Sequence, residues 1–171
     1  SVYMSFTSTL KEIHSPIERK VSDMRVDEVA LEKKQPFSVL MLGVDEREGD
    51  AGRSDTMIVM TVNPNDKSTK MVSIPRDTYT EIIGKGSMDK INHAYAFGGI
   101  EMSMETVENL LDIPIDYVVQ VNMEGFEDIV DAVGGVQVNN TLDFSVDQYN
   151  YPKGNITLNG EEALSYVRMR Y

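Results

Sequence analysis

The sequence predicts an α/β fold in which helices sandwich a central mixed sheet. Apolar runs that end in charged loops follow one another closely after Pro36, and this is the pattern of buried strands. Segments with helical periodicity then alternate with shorter apolar runs. That alternation indicates layers of helix and sheet around one core.

Three strands are predicted first, at Phe37–Val44, Asp55–Asn63 and Thr69–Pro75. Each is a short apolar run bounded by charged or turn-forming residues, as expected for strands inside a sheet. The turn that begins at Pro64 is short enough to join the second and third strands as a hairpin.

Two helices are predicted in the middle of the chain. The first runs from about Ile100 to Asp112, and the second covers Met123–Gly135, where a glycine pair provides the C-terminal stop. The residues expected to share one side of the first helix are Met102, Val107, Leu110 and Leu111. Those expected to face inward from the second are Phe126, Ile129, Val130 and Val133.

The last predicted helix covers Leu158–Arg170, where Asn159 and Glu162 resemble a capping box. Two further strands are predicted, at Ile115–Asn122 and Val136–Asn140.

Ser1–Gln35 is predicted to be a lead-in that is separate from the domain at residues 36–171. Apolar residues between Val2 and Ile17 recur at helical spacing, and Pro16 is expected to end or kink that helix.

Composition excludes several classes of function. The chain has 171 residues, a net charge of −12 and a pI of about 4.5, so it lacks the basic footprint of a general nucleic-acid-binding protein. The absence of cysteine excludes disulfides and thiol catalysis. No apolar run reaches the roughly 18 residues of a membrane-spanning helix, and no signal peptide is visible.

The arginines are concentrated in a few places. Five of the seven lie in Gly43–Thr56, Ser73–Thr78 and Tyr166–Tyr171, with aspartates or aromatics close by. A guanidinium grips phosphate oxygens in bidentate fashion. An acidic protein that confines its arginines in this way is therefore expected to use them on a phosphate-like anion.

Asp45 and Asp55 lie at predicted strand ends, at the rim where α/β sheets bind ligands. Two such carboxylates suit Mg²⁺, which takes few carboxylates together with water and ligand phosphates. Either aspartate alone is better explained as a loop former. Arg53 changes that preference, because it is two residues from Asp55 and can share its face of the strand.

Arg76 follows a strand directly after Pro75 and is expected to point at a group other than its neighbour Asp77, although a surface ion pair between the two is the alternative. Arg168 and Arg170 would diverge on a helix and share a face on an extended segment. A solvated helix end that favours cations through its dipole explains that pair equally well.

His93 is weak evidence for catalysis, because a lone histidine is usually structural and no second one lies nearby for a zinc site. Lys90 and Asn92 are candidates to line the site, and Gly98 and Gly99 are expected to form the turn into the next helix. No glycine-rich nucleotide motif or nucleophile-elbow motif is present. The methionines of the strands are expected to be ordinary core residues, with a pocket for a flexible apolar chain as the alternative.

Seven segments together, in this order, resemble the LytR–CpsA–Psr family of bacterial envelope proteins, from about Phe37 to Tyr171. They are GVDER, GRSDT, SIPRDT, KINHAYAFGG, DYVVQVNMEGF, VDAVGGVQV and LNGEEALSYVRMR. Each segment is weakly specific, whereas the ordered set is highly specific. The strongest likeness is to the members that attach teichoic acid in Gram-positive bacteria.

The resemblance implies a fold that encloses a polyprenyl pyrophosphate lipid in an apolar groove. It implies transfer of an anionic, wall-teichoic-acid-like glycopolymer from undecaprenyl pyrophosphate to a peptidoglycan sugar hydroxyl, with Mg²⁺, or alternatively Mn²⁺, as cofactor. The family's metal-binding aspartates would fall on Asp45 and Asp55. Its pyrophosphate-binding arginines would fall on Arg53, Arg76, Arg168 and Arg170.

The resemblance also implies a membrane helix before Ser1, and therefore a place on the extracellular face of the bacterial cytoplasmic membrane. In the family the chain continues past the R-x-R segment, so the C-terminal end of the domain would lie beyond Tyr171.

The expected chemistry is phosphoryl transfer, which needs alignment and charge neutralisation more than covalent chemistry by the protein. Arg76 is the predicted catalytic residue that stabilises charge on the departing lipid phosphate. Asp45 is the candidate base for the acceptor hydroxyl, although a tight metal ligand serves poorly as a base. A hydrolase that uses water as acceptor and a non-catalytic lipid-phosphate-binding module both remain open.

Overall fold

A computed structural model describes residues 21–30, 33–45 and 52–169. The described residues fall into two compact units, of which the larger ends at Val121 and the smaller begins at Asn122. The predicted helix between Val2 and Ile17 lies outside them. In the part of the chain that is described, no helix is long and apolar enough to cross a membrane.

The larger unit is built on a four-stranded mixed sheet with strand order β3-β2-β1-β6. β2 pairs antiparallel with β1 and with β3, whereas β6 pairs parallel with β1. Its elements are β1 (Phe37–Asp45), β2 (Arg53–Asn63), β3 (Ser68–Ile74), β4 (Tyr79–Ile82), β5 (Ser87–Lys90), the helix α1 (His93–Leu111) and β6 (Tyr117–Val121). β4 and β5 form a separate hairpin. The predicted α/β class with a central mixed sheet is confirmed, as is the hairpin between the second and third strands.

One face of the sheet packs on α1 and forms the core. Leu40 and Leu42 of β1 alternate toward this face and are fully buried, as is Met57 of β2. Met104 and Val107 of α1 complete the cluster. Each such side chain contributes about 1.5–3 kcal/mol by leaving water, so this face fixes the register of the sheet.

The structure confirms that Gly98 and Gly99 form the turn into the helix predicted from about Ile100, but α1 also includes a short helical segment before them that was not predicted. Gly99 takes φ 64° and ψ −147°, outside the helical region. A Cβ on Gly98 would lie 2.7 Å from Cβ of Met102, so the following turn packs directly on its backbone. The glycine pair is thus a kink, and His93 opens the first helical segment.

Residues 21–30 dock against the start of β1 and β6. Asp116 accepts hydrogen bonds from Arg25 Nε at 2.5 Å and Arg25 Nη2 at 2.7 Å, and also from the backbone N–H of Ser38 at 2.8 Å. Nearby, Ser22 Oγ donates to Glu108 Oε1 at 2.6 Å, within the buried part of the unit. These bonds tie the segment before the sheet to the end of β1 that lies opposite Asp45.

The smaller unit consists of two helices and two short antiparallel strand pairs. Its elements are α2 (Met123–Ala132), β7 (Val136–Asn140), β8 (Phe144–Val146), β9 (Tyr149–Tyr151), β10 (Gly154–Leu158) and α3 (Gly160–Arg168). β10 pairs with β7, and β8 pairs with β9. Val130, Tyr151, Leu158 and Ala163 form its buried core.

The predicted inward face of α2 is only half right. Val130 is buried and Phe126 is partly buried, whereas Ile129 and Val133 are exposed. The buried stripe of α2 follows Phe126 and Val130, which are four residues apart, and Ile129 lies at its edge. Val133 is already the C-cap, with φ −88° and ψ 0°, so it lies past the helical face.

Candidate functional site

A break in strand register shapes the end of the sheet where charged residues gather. Gly43 pairs with Thr56 but Val44 pairs with Ser54, so Asp55 is an extra residue in β2. Such bulges re-aim side chains and are frequent beside active sites. One step further, Asp45 pairs directly with Arg53.

The site residues that the sequence predicts on β1 and β2 are therefore neighbours in this structure. Asp45 and Arg53 sit opposite each other on adjacent strands, and Arg53 and Asp55 are both exposed on either side of the fully buried Ser54. The sheet thus presents two carboxylates and one guanidinium at one edge.

Arg76 joins this edge from the next connection. Ile74 at the end of β3 pairs with Met57, and the chain leaves the sheet there through Pro75. Arg76 Nη1 lies 2.9 Å from Asp55 Oδ1, whereas Arg76 Nε is 3.9 Å from Asp77 Oδ2. The expectation that Arg76 points mainly at a group other than Asp77 is confirmed.

The Arg76–Asp55 pair is weak enough to open. Their side chains are 45% and 44% exposed, and such exposed pairs contribute only about 0.2–1 kcal/mol. A phosphate group that enters the site can therefore replace Asp55 as the partner of the Arg76 guanidinium at little cost in free energy. The pair therefore orients Arg76 and still leaves its guanidinium able to bind a phosphate group.

Lys90 adds a second cation beside Arg76. Lys90 Nζ lies 2.7 Å from Asp77 Oδ1, and this hydrogen bond holds the pKa of Asp77 below its usual range. The backbone secures the arrangement, since the N–H of Ile91 donates to the Thr78 carbonyl at 2.8 Å and that of Asn92 to the Arg76 carbonyl at 3.3 Å. We name Asp45, Arg53, Asp55, Arg76, Asp77 and Lys90 the rim cluster.

A histidine–carboxylate pair lies next to the rim cluster. His93 Nδ1 is 3.0 Å from Asp89 Oδ1, and the imidazole stands edge-on to Phe97 at 5.9 Å between ring centroids. The hydrogen bond from His93 lowers the pKa of Asp89. His93 also helps to lower the pKa of Asp77 through its charge, after the contributions of Lys90 and Arg76.

The second face of the sheet leads to the rim cluster and is apolar. Val39, Met41, Gly43 and Asp45 alternate along it on β1. Met41 pairs with Ile58 on one side and Val119 on the other. Met57 is a core residue as expected, but Met71 at the edge of the second face is 59% exposed, so the expectation of core packing was wrong there.

Among the residues that the structure describes, no group of three or more His, Cys, Asp or Glu side chains could hold a metal by itself. Mg²⁺ does not require one, because it commonly binds one or two carboxylates together with substrate phosphates and water. Asp45 and Asp55 are hard oxygen donors on adjacent strands at the edge of the sheet. The donor set fits Mg²⁺.

Arg168 lies on the smaller unit, where it is the last residue of α3 and is exposed. The predicted capping box is confirmed: Asn159 Oδ1 accepts from the N–H of Glu162, and the Glu162 carboxylate accepts from the N–H of Asn159. Arg168 in the last turn also suits the helix dipole. Arg170 lies outside the described residues.

Two features of the site escaped the sequence analysis. Asp89 was not singled out, because its relation to His93 becomes visible only when the helix is known to begin at His93. The role of Lys90 as the partner of Asp77 depends on the β4–β5 hairpin, which places Lys90 opposite Tyr79. The alternation of the exposed Tyr79 and Glu81 with the buried Thr80 and Ile82 on β4 was the available signal.

Comparison with known proteins identifies the family of this chain. The model of the LytR_cpsA_psr family matches residues 1–171. The polyisoprenyl-teichoic acid–peptidoglycan teichoic acid transferase TagU of Bacillus subtilis (strain 168) is 63% identical over 163 residues, which make up 95% of this chain and 53% of that protein. The chain spans about half the length of the curated relatives it matches.

Solved structures of similar proteins support the same family. The crystal structure of B. subtilis TagU is 62% identical with a TM-score of 0.65, over 81% of this chain and 57% of that one. YwtF (TagT), a LytR-CPS2A-psr family protein with bound octaprenyl pyrophosphate lipid, is 40% identical with a TM-score of 0.76, over 92% and 66%. From the family match and these similarities, the chain belongs to the LytR_cpsA_psr family.

Proposed function

We propose that this protein transfers an anionic, teichoic-acid-like glycopolymer from undecaprenyl pyrophosphate to a sugar hydroxyl of peptidoglycan. The printed name of TagU describes such a transferase, and the TagT structure holds an octaprenyl pyrophosphate. The observation that carries the proposal is the rim cluster, in which Arg76 is oriented by a weak pair at the end of an apolar sheet face.

The rim cluster suits a pyrophosphate. Arg76 and Arg53 offer guanidinium forks to its oxygens, and such charge-assisted contacts are among the strongest hydrogen bonds in proteins. Their stabilisation of charge on the departing phosphate is the usual source of catalysis in phosphoryl transfer. On the strength of the family resemblance, Arg168 and Arg170 are also proposed to bind pyrophosphate.

The second face of the sheet suits the lipid. Met41 and Ile58 present apolar, adaptable surface that continues along β1 to Asp45. A prenyl chain on this surface would bring its pyrophosphate to the rim cluster.

The reaction breaks the phosphoanhydride bond of the pyrophosphate and forms a phosphodiester with the sugar. The sugar hydroxyl oxygen attacks the phosphorus that bears the glycopolymer, the bond to the bridging oxygen breaks, and lipid monophosphate leaves with that oxygen. The hydroxyl proton must pass to a base. Mg²⁺ held by Asp45 and Asp55 would supply neutralisation of the pyrophosphate charge.

Since peptidoglycan lies outside the cytoplasmic membrane, the proposed reaction takes place on the extracellular face of that membrane. Anchoring by an N-terminal transmembrane helix is part of the same proposal.

Arg76 variants test the proposed role of the rim cluster. Arg76→Ala is expected to reduce the release of lipid monophosphate from a polyprenyl-pyrophosphate-linked saccharide by about 10³-fold or more, in line with arginines that stabilise phosphoryl transfer. Arg76→Lys should recover only part of the rate, because an ammonium lacks the fork. Lys70→Ala removes an exposed cation from β3 and should match wild type. An Arg76→Ala enzyme within threefold of wild type would refute the assignment.

A further inference from the structure

The His93–Asp89 pair has the geometry of an oriented imidazole. His93 opens α1 and Asp89 lies in β5, four residues earlier, with 3.0 Å between Nδ1 and Oδ1. The edge-on contact with Phe97 restrains the ring from another side, and Lys85 Nζ covers that phenyl ring at 2.9 Å from its centroid. The imidazole is thus held by a carboxylate and an aromatic ring.

This hydrogen bond fixes the tautomer. A carboxylate only accepts, so Nδ1 must carry the proton and Nε2 keeps its lone pair when the ring is neutral. The His93 side chain is 31% exposed, and no hydrogen bond to Nε2 occurs among the described residues. Nε2 is therefore the atom of this pair that can take up a proton.

The charged surroundings of His93 connect it to the rim cluster. β5 contributes Asp89 and Lys90, and the connection after β3 contributes Arg76 and Asp77. Lys85 lies beyond the ring of Phe97. On β4, the residue opposite Asp89 is the uncharged Thr80.

We propose that Nε2 of His93 accepts the proton of the acceptor hydroxyl, with Asp89 as the positioning residue. This rests on the proposed transfer reaction. As the hydroxyl oxygen bonds to phosphorus and the bridging oxygen leaves with the lipid phosphate, the proton moves to Nε2 and then to solvent. The carboxylates of the rim cluster suit this role less well: Asp55 and Asp77 are bound to cations, and Asp45 is the proposed metal ligand.

Imidazole is the side chain that most often serves as a general base, and a neutral Nε2 can accept the proton of a hydroxyl group. Protonation of His93 would block proton uptake. Acid that protonates His93 is thus expected to slow the transfer. Asp89→Asn weakens the charge-assisted hydrogen bond that orients the ring, so it should lower kcat while leaving lipid binding unchanged.

The test compares wild type, His93→Gln and Asp89→Asn, with Asp128→Asn on the smaller unit as a control. Transfer to peptidoglycan oligomers is measured between pH 5 and 8, together with binding of polyprenyl pyrophosphate. His93→Gln should lose about 10²-fold or more in kcat, a typical contribution of general base catalysis. Its lipid affinity should stay within twofold of wild type, and its rate should no longer fall with acid. Asp128→Asn should reproduce wild type.

Two results would overturn the inference in distinguishable ways. An active wild type with an unchanged rate and pH profile in His93→Gln would remove His93 from the reaction and leave the proposed transfer intact. A wild type that binds the lipid and forms no product with the acceptor would overturn the transfer reaction and the role of His93 together.

Discussion

Asp116→Asn should destabilise the larger unit while leaving the rim cluster in place. The Asp116 side chain is only 5% exposed, whereas that of Arg25 is 27% exposed. Asp116 accepts two hydrogen bonds from Arg25 and two from Ser38, at the end of β1 opposite Asp45. A strand of this length spans about 25–30 Å, so the effect should fall on stability rather than on the site.

The magnitude follows from the bonds that asparagine cannot make. Its single amide oxygen can replace one carboxylate oxygen, but its NH₂ group then faces the Arg25 guanidinium. At least one charge-assisted hydrogen bond is lost, worth about 1.5–3 kcal/mol, and the partly buried Arg25 loses its counter-charge. Since breaking a fully buried pair costs about 3–5 kcal/mol and Arg25 retains some exposure, we expect about 3 kcal/mol.

Urea unfolding, monitored by far-UV circular dichroism, measures the loss of stability as a lower midpoint urea concentration. The matched control is Asp112→Asn, an exposed carboxylate four residues earlier whose backbone has φ 54°. Asparagine tolerates that conformation well, so the control should leave the midpoint unchanged. If Asp116→Asn unfolds at the wild-type midpoint, the docking of residues 21–30 is not held by this pair.

Two further substitutions follow from the structure. Asp55→Ala should raise the Mg²⁺ concentration needed for half-maximal transfer, whereas Asp66→Ala at the other end of the β2–β3 hairpin should not; identical Mg²⁺ titrations would argue against Asp55 as a ligand. Gly160→Ala should cost about 1–3 kcal/mol in urea unfolding through overpacking, because its Cβ would collide with the backbone carbonyl of Glu127. An unchanged unfolding midpoint would contradict the close contact between α2 and α3.

The sheet of the larger unit was predictable because β1 and the middle of β2 are continuous apolar runs, and the turn at Pro64 indicates the hairpin to the more polar β3. β4 and β5 were not, since each is only four residues long and β5 has no buried residue, and such short segments are also common in loops. The helical segment before Gly98 was missed because the few residues from His93 to Phe97 are too short to show a helical period.

The candidate site was likewise predictable in some of its residues and not in others. Asp45, Arg53, Asp55 and Arg76 could be selected from their residue types and their places at strand ends. The bulge at Asp55 could not, because it depends on how β1 and β2 pair, and neither strand reveals it alone. Asp89 was missed for a similar reason, as its contact with His93 requires the turn from β5 into α1.

The most direct test is the identity of the product. The purified protein is incubated with Mg²⁺ and a polyprenyl-pyrophosphate-linked saccharide, with and without peptidoglycan oligomers, and the products are identified by mass spectrometry. The proposed function predicts a phosphodiester-linked saccharide–peptidoglycan adduct and an equal amount of lipid monophosphate, formed only with acceptor present. Lipid monophosphate released equally without acceptor would indicate a hydrolase, and lipid binding without any product would indicate a binding module; either result would contradict the transferase.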